Sequence, residues 1–291
     1  MIKYFLIFIS VTITTFSLDN AYIEDITYTL EEESNINLYQ EDETSSNKLA
    51  VTMNRKINSP KDITIFKEKM IKPINYTTTV SLNKLQVSEK KQKFFHMMLP
   101  AILISKQKLK VKRARVEEIL QLVNPTSDDL IFLDKLYKKY RTDNGKELLS
   151  RMKTHPVSIV LAQAAIESGW GESRFFKEGK NIFGMWSVSK NEPRMRAKET
   201  RNGKAIYLRK YSSISDAIDD YFVTIGRGAY KSFRKQRDIT KDPLKLVAYL
   251  INYCELRGQY TKKLRKFIIA NNLEDFDEFQ IDKMYLTRNF Y

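Results

Sequence analysis

One glutamate lies in a sequence setting that suits acid catalysis. Residues 156–171 have the sequence PVSIVLAQAAIESGWG, in which Glu167 ends a nearly apolar run and Gly169 follows two positions later. A carboxyl group with few charged neighbours and an apolar, aromatic surround is costly to ionise, so its pKa rises towards the value that a general acid needs at neutral pH. We expect Glu167 to be such an acid, with Trp170 in its surround. The alternative is an ordinary glutamate near the end of a helix.

A helix is predicted to position this glutamate. Pro156 suits the first turn, where its missing N–H is not needed, and Gly169 would end the helix. The positions that would face inward, or let neighbouring helices approach closely, are apolar or small: Val157, Val160, Leu161, Ala162, Ala164 and Ala165. The sequence therefore predicts a helix over residues 156–168 that carries Glu167 in its last turn.

Most of the other periodic segments are also predicted to be helical. From Glu89 to the Asn124-Pro125 pair, apolar residues recur at seven-residue spacing, which predicts one long amphipathic helix. A second helix is expected to begin at Thr126, and further helices are expected over residues 213–225, 243–255 and 260–270. Residues 185–211 have the pattern of strands and turns. The expected fold class is mainly α with one small β part.

The chain is strongly basic, and its charge is unevenly distributed. The net charge is +15 at pH 7, yet nine of the 35 acidic residues lie between Asp19 and Glu43, and Lys3 is the only basic residue before Lys48. Residues 48–291 therefore carry 49 basic and 26 acidic side chains, a net +23. Such a surface favours a polyanionic partner: nucleic acid, an anionic membrane, or an anionic polymer such as the bacterial cell wall. For the basic residues between 106 and 115, a solvated helix face is a simpler explanation than a nucleic-acid surface.

Composition excludes several classes of protein. The 42% hydrophobic and 12% aromatic content is enough for a buried core. The single Cys254 excludes an internal disulfide framework, and a zinc cluster is not expected from two histidines, His96 and His155. Neither the dinucleotide-binding nor the P-loop glycine motif occurs. No metal and no cofactor are expected.

The first 88 residues are predicted to be an export signal and a spacer. After Lys3, residues 4–17 are mostly apolar, which fits the h-region of a signal peptide, whereas a membrane span needs about 20 apolar residues. An uncleaved N-terminal anchor is the alternative, because no A-x-A cleavage site follows. Residues 18–88 are polar and lack helical periodicity, so we expect a flexible spacer. The catalytic domain is expected over residues 89–275, and residues 276–291 as a C-terminal tail.

Five segments, in order, resemble the bacterial glucosaminidase family of peptidoglycan hydrolases, especially its Bax-like branch. They are KKQKFFHMMLPAI (90–102), LAQAAIESGWGESRFFKEGKNIFGMW (161–186), YSSISDAIDDYF (211–222), AYKSFRKQR (229–237) and YCELRGQYTKKLRKFI (253–268). The resemblance covers residues 89–275. It implies a lysozyme-like fold with a helical lobe, a small β lobe and a sugar-binding cleft between them. It also implies hydrolysis of the β-1,4 bond that follows N-acetylglucosamine in peptidoglycan glycan strands.

The resemblance also assigns roles to residues. Glu167 matches the catalytic acid of the family, and Tyr230 matches a tyrosine near the reacting sugar. The other residues implied to bind substrate are Trp170, Asn181, Phe183, Gly184, Trp186, Tyr253, Arg257 and Tyr260. The chain departs from the family pattern in the loop before Tyr230, in one extra residue within 253–258, and in residues 187–191. The last of these departures concerns the geometry of the β lobe and leaves the acid in place.

A second catalytic group is not fixed by the sequence. Two-carboxylate glycosidases need a nucleophile or a base opposite the acid. Glu192 and Glu199 both lie in the stretch expected to form the β lobe; Glu199 is favoured, although it is equally explained as a solvated acid among basic neighbours. In the third possibility, the N-acetyl oxygen of the substrate attacks the anomeric carbon and Tyr230 positions it.

Three classes of function stay open at this point. An exported endo-β-N-acetylglucosaminidase, periplasmic or extracellular and monomeric, is favoured, with anionic peptidoglycan rather than nucleic acid as its partner. A lytic transglycosylase would use the same Glu167 and release a 1,6-anhydro sugar. A module that binds cell wall or nucleic acid without catalysis is the remaining class.

Overall fold

The computed structural model describes residues 48–201 and 203–288. The predicted export signal and the part of the predicted spacer before Lys48 lie outside these residues. In chain order the helices are α1 (Val87–Ile119), α2 (Ser127–Tyr140), α3 (Gly145–Arg151), α4 (Val157–Ser168), α5 (Arg174–Gly179), α6 (Ile214–Gly226), α7 (Lys231–Arg237), α8 (Pro243–Leu246) and α9 (Gly258–Ala270). The strands are β1 (Lys48–Ala50), β2 (Met53–Arg55), β3 (Met70–Ile71), β4 (Ile74–Tyr76), β5 (Arg194–Arg201), β6 (Lys204–Arg209), β7 (Gln280–Ile281) and β8 (Leu286–Arg288). The predicted fold class, mainly α with a small β part, is confirmed.

Helix α1 is the central element of the core. It runs for 33 residues and packs against both α4 and α6. The predicted start of the second helix at Thr126 is confirmed, because the Thr126 side chain caps α2 by accepting a hydrogen bond from the Asp129 N–H. The predicted helix over 243–255 is only partly correct: α8 ends at Leu246, a 3₁₀ turn covers Val247–Tyr249, and the chain then turns irregularly towards Tyr253.

Helix α4 is enclosed by the rest of the protein. It packs against α1, α9 and the 3₁₀ helix Leu273–Glu278, and ten of its twelve residues are buried. The two that are not fully buried are Ile166 and Glu167. A helix that is apolar on all sides has to be buried on all sides, and here the surround is open only near its C-terminal end. The predicted helix over 156–168 is confirmed, and it is more completely buried than its predicted inward-facing positions required.

Residues 48–86 belong to the folded domain, so the prediction of a flexible spacer is wrong for this part of the chain. The segment contributes buried apolar side chains to the main core: Ile57, Ile63, Ile71, Ile74, Tyr76 and Leu82. It is also held by hydrogen bonds, because Glu172 accepts from the Leu82 N–H at 2.7 Å and His96 Nδ1 accepts from the Phe66 N–H at 3.1 Å. Helical periodicity is absent because the segment consists of short strands and loops.

The C-terminal residues are folded as well, so the prediction of a tail from residue 276 is wrong for the described part. Strand β7 pairs in parallel with β3, and β8 pairs antiparallel with β1. Asp277 accepts two hydrogen bonds from Ser158, at the start of α4. The two ends of the described chain therefore fold against each other, and the domain extends on both sides beyond the predicted limits of 89 and 275.

Strands β5 and β6 form an antiparallel hairpin beside the helices. Its register pairs Arg194 with Arg209 and is irregular between Arg196 and Thr200. A small apolar cluster of its own supports it: Phe175, Met195, Ile206 and Leu208. The predicted strand-and-turn region over 185–211 is confirmed. Among the described residues, no helix is long and apolar enough to cross a membrane.

Candidate active site

The turn that follows Glu167 holds the end of α4 in a tight backbone conformation. Gly169, Trp170 and Gly171 all have positive φ, at 59°, 61° and 79°. Glycine adopts this region readily, whereas a tryptophan does so only when its surroundings hold it there. The Ser168 hydroxyl donates to the Ala164 carbonyl at 2.6 Å and accepts from the Gly171 N–H at 2.9 Å. Glu167 is therefore carried on a rigid helix end.

The carboxyl group of Glu167 is bound by a tyrosine from another helix. The hydroxyl of Tyr260, in α9, donates to Glu167 Oε1 at 3.0 Å. Burial raises the pKa of Glu167 to about 7, although the hydrogen bond from Tyr260 and the charge of Lys263 act in the opposite direction. At neutral pH this carboxyl group therefore exists in both its protonated and its ionised form, as an acid–base catalyst requires.

Three tyrosines with raised pKa values lie around this carboxyl group. The Tyr253 ring stacks on the Tyr260 ring at 5.4 Å, and the Tyr230 ring lies 6.4 Å from that of Tyr253. Burial first, and then the charge of Glu167, raises the pKa of Tyr230, Tyr253 and Tyr260 above the ordinary value for tyrosine. All three hydroxyls are thus neutral donors at physiological pH, and the structure brings together four residues that the sequence proposed for the site.

Two of the predicted cleft residues are buried in supporting positions. Asn181 donates to the carbonyls of Met185 and Arg209 and accepts from the Met185 N–H, so it fixes the loop that leads to the β hairpin. The Phe183 ring stacks on Tyr221 at 4.2 Å inside the core. Both residues therefore have structural roles, Asn181 in the loop and Phe183 in the core.

Other predicted binding residues are more accessible. Gly184 has a φ of 66° and open space where a side chain would be. Trp186 is half-buried beside the β hairpin, with the Arg201 guanidinium 5.8 Å from its ring centre. Arg257 is exposed directly before α9. These positions leave room for a ligand near the hairpin.

Trp170 is placed differently from its expected position. Its ring contacts Phe94 and Phe95 of α1 and Phe267 of α9, as part of the main core. The aromatic contact that the structure provides at the Glu167 carboxyl comes instead from Tyr260. Trp170 therefore supports the turn after Glu167 by packing.

The two candidate second carboxylates are engaged or exposed. Glu192 forms an ion pair with Arg209 at 3.2 Å and accepts from the Val188 N–H, which ties the base of the hairpin together. Glu199 is exposed on the irregular part of β5. In the described part of the chain, neither carboxylate forms a hydrogen bond or an ion pair with Glu167.

Comparison with known proteins agrees with the sequence motifs. Residues 143–273 match the family model described as mannosyl-glycoprotein endo-beta-N-acetylglucosaminidase. This segment, 131 of the 291 residues, is similar to the glucosaminidase family. The chain is 31% identical over 119 residues to Protein bax of Escherichia coli, which covers 40% of each protein. It is 26% identical over 175 residues to Exo-glucosaminidase LytG of Bacillus subtilis, which covers 55% of this chain and 58% of LytG.

The chain thus spans roughly half the length of these relatives. Among solved structures, the catalytic domain of the autolysin Auto from Listeria monocytogenes is similar over 57% of this chain and 97% of its own length, with 20% identity and a TM-score of 0.37. The matched segment, residues 143–273, includes Glu167 and the three tyrosines around it.

The sequence motifs gave no indication that Gln163 contributes to the site. Gln163 lies one helical turn before Glu167 on α4, and its Nε2 donates to the Tyr260 hydroxyl at 3.0 Å. The i, i+4 spacing of the two residues places them on one face of the helix, which was the only local pattern that connected them. No group of three or more potential metal ligands occurs in the residues that the structure describes.

Proposed function

We propose that this protein is an exported peptidoglycan hydrolase that cleaves the β-1,4 bond after N-acetylglucosamine, with Glu167 as the general acid. The observation that carries the proposal is the Glu167 carboxyl group, whose pKa is raised to about 7 at the accessible end of an otherwise buried helix. A carboxylic acid that is protonated near neutral pH can donate to a glycosidic oxygen. The match to the endo-beta-N-acetylglucosaminidase family model supports a substrate that contains N-acetylglucosamine.

The proposed reaction begins with proton transfer. Glu167 donates its proton to the oxygen of the scissile bond, the bond to the anomeric carbon breaks, and the leaving sugar departs with a new hydroxyl group. The carboxylate that remains is stabilised by the hydrogen bond from Tyr260. When a water molecule later attacks the anomeric carbon, Glu167 accepts its proton and returns to the starting state.

The group that first attacks the anomeric carbon is proposed to be the N-acetyl oxygen of the substrate. Glu192 is engaged with Arg209, and Glu199 is exposed, so neither has the buried setting of Glu167. Tyr230 is buried, and its ring lies 6.4 Å from that of Tyr253, which stacks on Tyr260, the donor to Glu167. A neutral tyrosine there can orient the N-acetyl group by hydrogen bonding, as substrate-assisted glycosidases require.

The basic surface is proposed to hold the enzyme on the wall. Peptidoglycan carries lactyl and peptide carboxylates, and residues 48–291 have a net charge of +23. Arg196, Lys198 and Lys204 are exposed on the hairpin beside the site. Attraction between exposed charges is screened over about 8–10 Å at moderate salt, so binding to intact wall should weaken as salt is added.

The decisive experiment compares Glu167→Gln, Tyr230→Phe and Glu199→Gln on purified peptidoglycan. Glu167→Gln should lower the rate by about 10²–10⁴-fold or more, because general acid–base catalysis contributes that much. Under the substrate-assisted route Tyr230→Phe should cost far more than Glu199→Gln, and under a two-carboxylate route the order should reverse. An unchanged rate for Glu167→Gln would show that the acid is elsewhere.

The sugar ends of the products identify the reaction. Reduction with borohydride followed by mass spectrometry should label N-acetylglucosamine at the new reducing end. A 1,6-anhydro sugar would instead identify a lytic transglycosylase that uses the same glutamate. Binding without any new ends would identify a non-catalytic module.

A further inference from the structure

A buried chain of hydrogen bonds runs from Glu167 back into the core. Tyr260 donates to Glu167 Oε1 at 3.0 Å, and Gln163 Nε2 donates to the Tyr260 hydroxyl at 3.0 Å. The Tyr221 hydroxyl donates to Gln163 Oε1 at 2.6 Å, and it also lies 2.8 Å from His155 Nε2. These four hydrogen bonds join residues of α4, α6, α9 and the loop before α4.

The direction of each hydrogen bond follows from counting protons. Each tyrosine hydroxyl has one proton, and the proton of Tyr260 points to Glu167, so its oxygen accepts from Gln163. The amide oxygen of Gln163 then accepts the proton of Tyr221. Because the proton of Tyr221 is used in this way, His155 must donate to it through Nε2–H. In that tautomer Nδ1 carries no proton, and it has no hydrogen-bond partner among the described residues.

All four supporting side chains are shielded from solvent. Gln163 and Tyr221 are 0% exposed, Tyr260 is 1% exposed and His155 is 3% exposed. Water therefore cannot replace a lost partner, and breaking one link leaves a buried polar group unsatisfied. The chain of hydrogen bonds consequently favours one rotamer for each of these four side chains.

His155 is itself held in place by aromatic rings and kept neutral. Its ring contacts Phe222 and Phe233 edge-on, each at 5.2 Å between centroids. Burial first, and then the charges of Arg237 and Lys106, hold the pKa of His155 well below its usual range. A neutral imidazole with a fixed orientation can act as the permanent first donor of the chain.

We propose that His155, Tyr221 and Gln163 are positioning residues that fix the Glu167 carboxyl group through this chain and thereby assign its transferable proton to Oε2. The proposal rests on the proposed role of Glu167 as the acid. Because Oε1 is occupied by the hydrogen bond from Tyr260, Oε2 is the oxygen that can present a proton to the glycosidic oxygen. Each of the three residues acts through its neighbours, at a distance from the substrate.

The test is Tyr221→Phe, which removes one hydroxyl from the middle of the chain. The phenyl ring keeps the stacking contact with Phe183, so the fold should be retained. On soluble glycan fragments, kcat should fall by about 5- to 100-fold with little change in KM, because misplacement of a catalytic group by about 1 Å can cost about 100-fold. The upper pH limit of activity should also move to higher pH, because a weaker hydrogen bond from Tyr260 favours the protonated form of Glu167.

Two further variants separate positioning from general destabilisation. Tyr76→Phe is the matched control: Tyr76 is equally buried and its hydroxyl accepts from the Thr64 N–H at 3.0 Å, outside the chain. It should lower the melting temperature but leave kcat and the pH limit unchanged. His155→Phe should reproduce the kinetic defect of Tyr221→Phe, whereas His155→Gln, which keeps an N–H donor, should restore part of kcat.

The outcomes distinguish this proposal from the proposed function. If Glu167→Gln is inactive while Tyr221→Phe has unaltered kcat and an unaltered pH limit, the positioning role is wrong and the acid stands. If Glu167→Gln is fully active, the proposed function fails first. If Tyr221→Phe does not fold, the comparison of His155→Phe with His155→Gln decides: equal activity in the two overturns the positioning role.

Discussion

The Tyr260 hydroxyl lies 3.0 Å from Glu167 Oε1 and donates to it, although the burial of that carboxyl favours its protonated form. The two influences oppose each other. Burial disfavours the ionised carboxyl group, whereas a donated hydrogen bond stabilises it. Burial is the larger influence, so the pKa of Glu167 rises to about 7 rather than further. This balance suits a group that has to give up a proton and recover it within each catalytic cycle, as proposed for Glu167.

The first prediction concerns the pH dependence of cleavage. Because Glu167 must be protonated to act as an acid, kcat/KM should fall as the pH rises through about 7. Tyr260→Phe removes the donor that favours the ionised form of Glu167. The fall of kcat/KM in this variant should therefore occur at higher pH than in the unsubstituted protein. Initial rates on soluble glycan fragments between pH 4 and pH 9 give both curves. If kcat/KM of Tyr260→Phe falls at the same pH as that of the unsubstituted protein, a group other than Glu167 controls this fall.

The second prediction concerns stability and follows from the same carboxyl group. A carboxyl whose pKa is raised in the folded state stabilises the fold below its unfolded value of about 4.5, and this contribution is lost as the pH rises through about 7. The loss amounts to at most about 3.5 kcal/mol, since the pKa rises from 4.5 to about 7 and each pKa unit corresponds to about 1.4 kcal/mol. Glu167→Gln does not titrate, so it should gain relative stability between pH 4 and pH 8.

Urea unfolding of both proteins at these two pH values measures the difference. The control is Glu199→Gln, which alters an exposed carboxyl group on the hairpin. Its stability relative to the unsubstituted protein should be nearly the same at both pH values. If Glu167→Gln also shows no pH-dependent gain, the carboxyl group is not shielded as the structure indicates.

Local sequence patterns were sufficient to find Glu167 and the helix that carries it. A nearly apolar run bounded by Pro156 and Gly169 defines α4, and the position of Glu167 within it follows directly. Tyr230, Tyr253 and Tyr260 were expected only through the resemblance to a family, because a lone tyrosine has no local pattern that identifies its role. Local sequence therefore indicated the proposed acid and the helix that carries it, whereas the surroundings of the carboxyl group depend on tertiary structure.

The hydrogen-bond chain behind Glu167 could not have been predicted from spacing. Tyr221 and Gln163 are 58 residues apart, and Gln163 and Tyr260 are 97 residues apart. Only the packing of α4 against its neighbours brings these side chains together. His155 was considered solely as a possible metal ligand, yet its hydrogen bond is to Tyr221.

The spacer prediction failed for a different reason. Residues 48–86 form strands of two or three residues, which are too short for a recognisable alternation of apolar and polar side chains. Two of these strands pair with β7 and β8, more than 200 residues further along the chain. The polar composition of residues 48–86 therefore gave no indication that this segment contributes side chains to the main core.

The third prediction tests this segment by truncation. A chain of residues 48–291 should melt at nearly the same temperature as the full chain. A chain of residues 84–291 should lose cooperative unfolding, because it lacks Ile57, Tyr76 and Leu82 from the core. Burial of one large apolar side chain contributes about 1.5–3 kcal/mol, so several together approach the whole stability of a domain, about 5–15 kcal/mol.

A point substitution checks the same contribution within the full chain. Tyr76→Ala should destabilise the fold by about 3–5 kcal/mol, as removal of a large buried ring does. Met53→Ala, at an exposed position of β2, should cost much less. Retention of a sharp melting transition by the 84–291 chain would show that the segment merely lies on the core.

The fourth prediction compares two glycines whose surroundings differ. A methyl group at Gly226, the last residue of α6, would lie 2.4 Å from the Arg151 carbonyl oxygen and 3.0 Å from the Tyr140 ring. Because a backbone atom cannot move away as a flexible side chain can, Gly226→Ala should cost about 1–3 kcal/mol despite the better helix propensity of alanine.

Gly258, the first residue of α9, has no atom within 4 Å of the place where a methyl group would lie, and it has no positive φ. Gly258→Ala should therefore be neutral or stabilise by up to about 1 kcal/mol. Thermal unfolding of the two variants gives the signs, and a shift of the same sign in both would contradict the close approach of α6 to the end of α3.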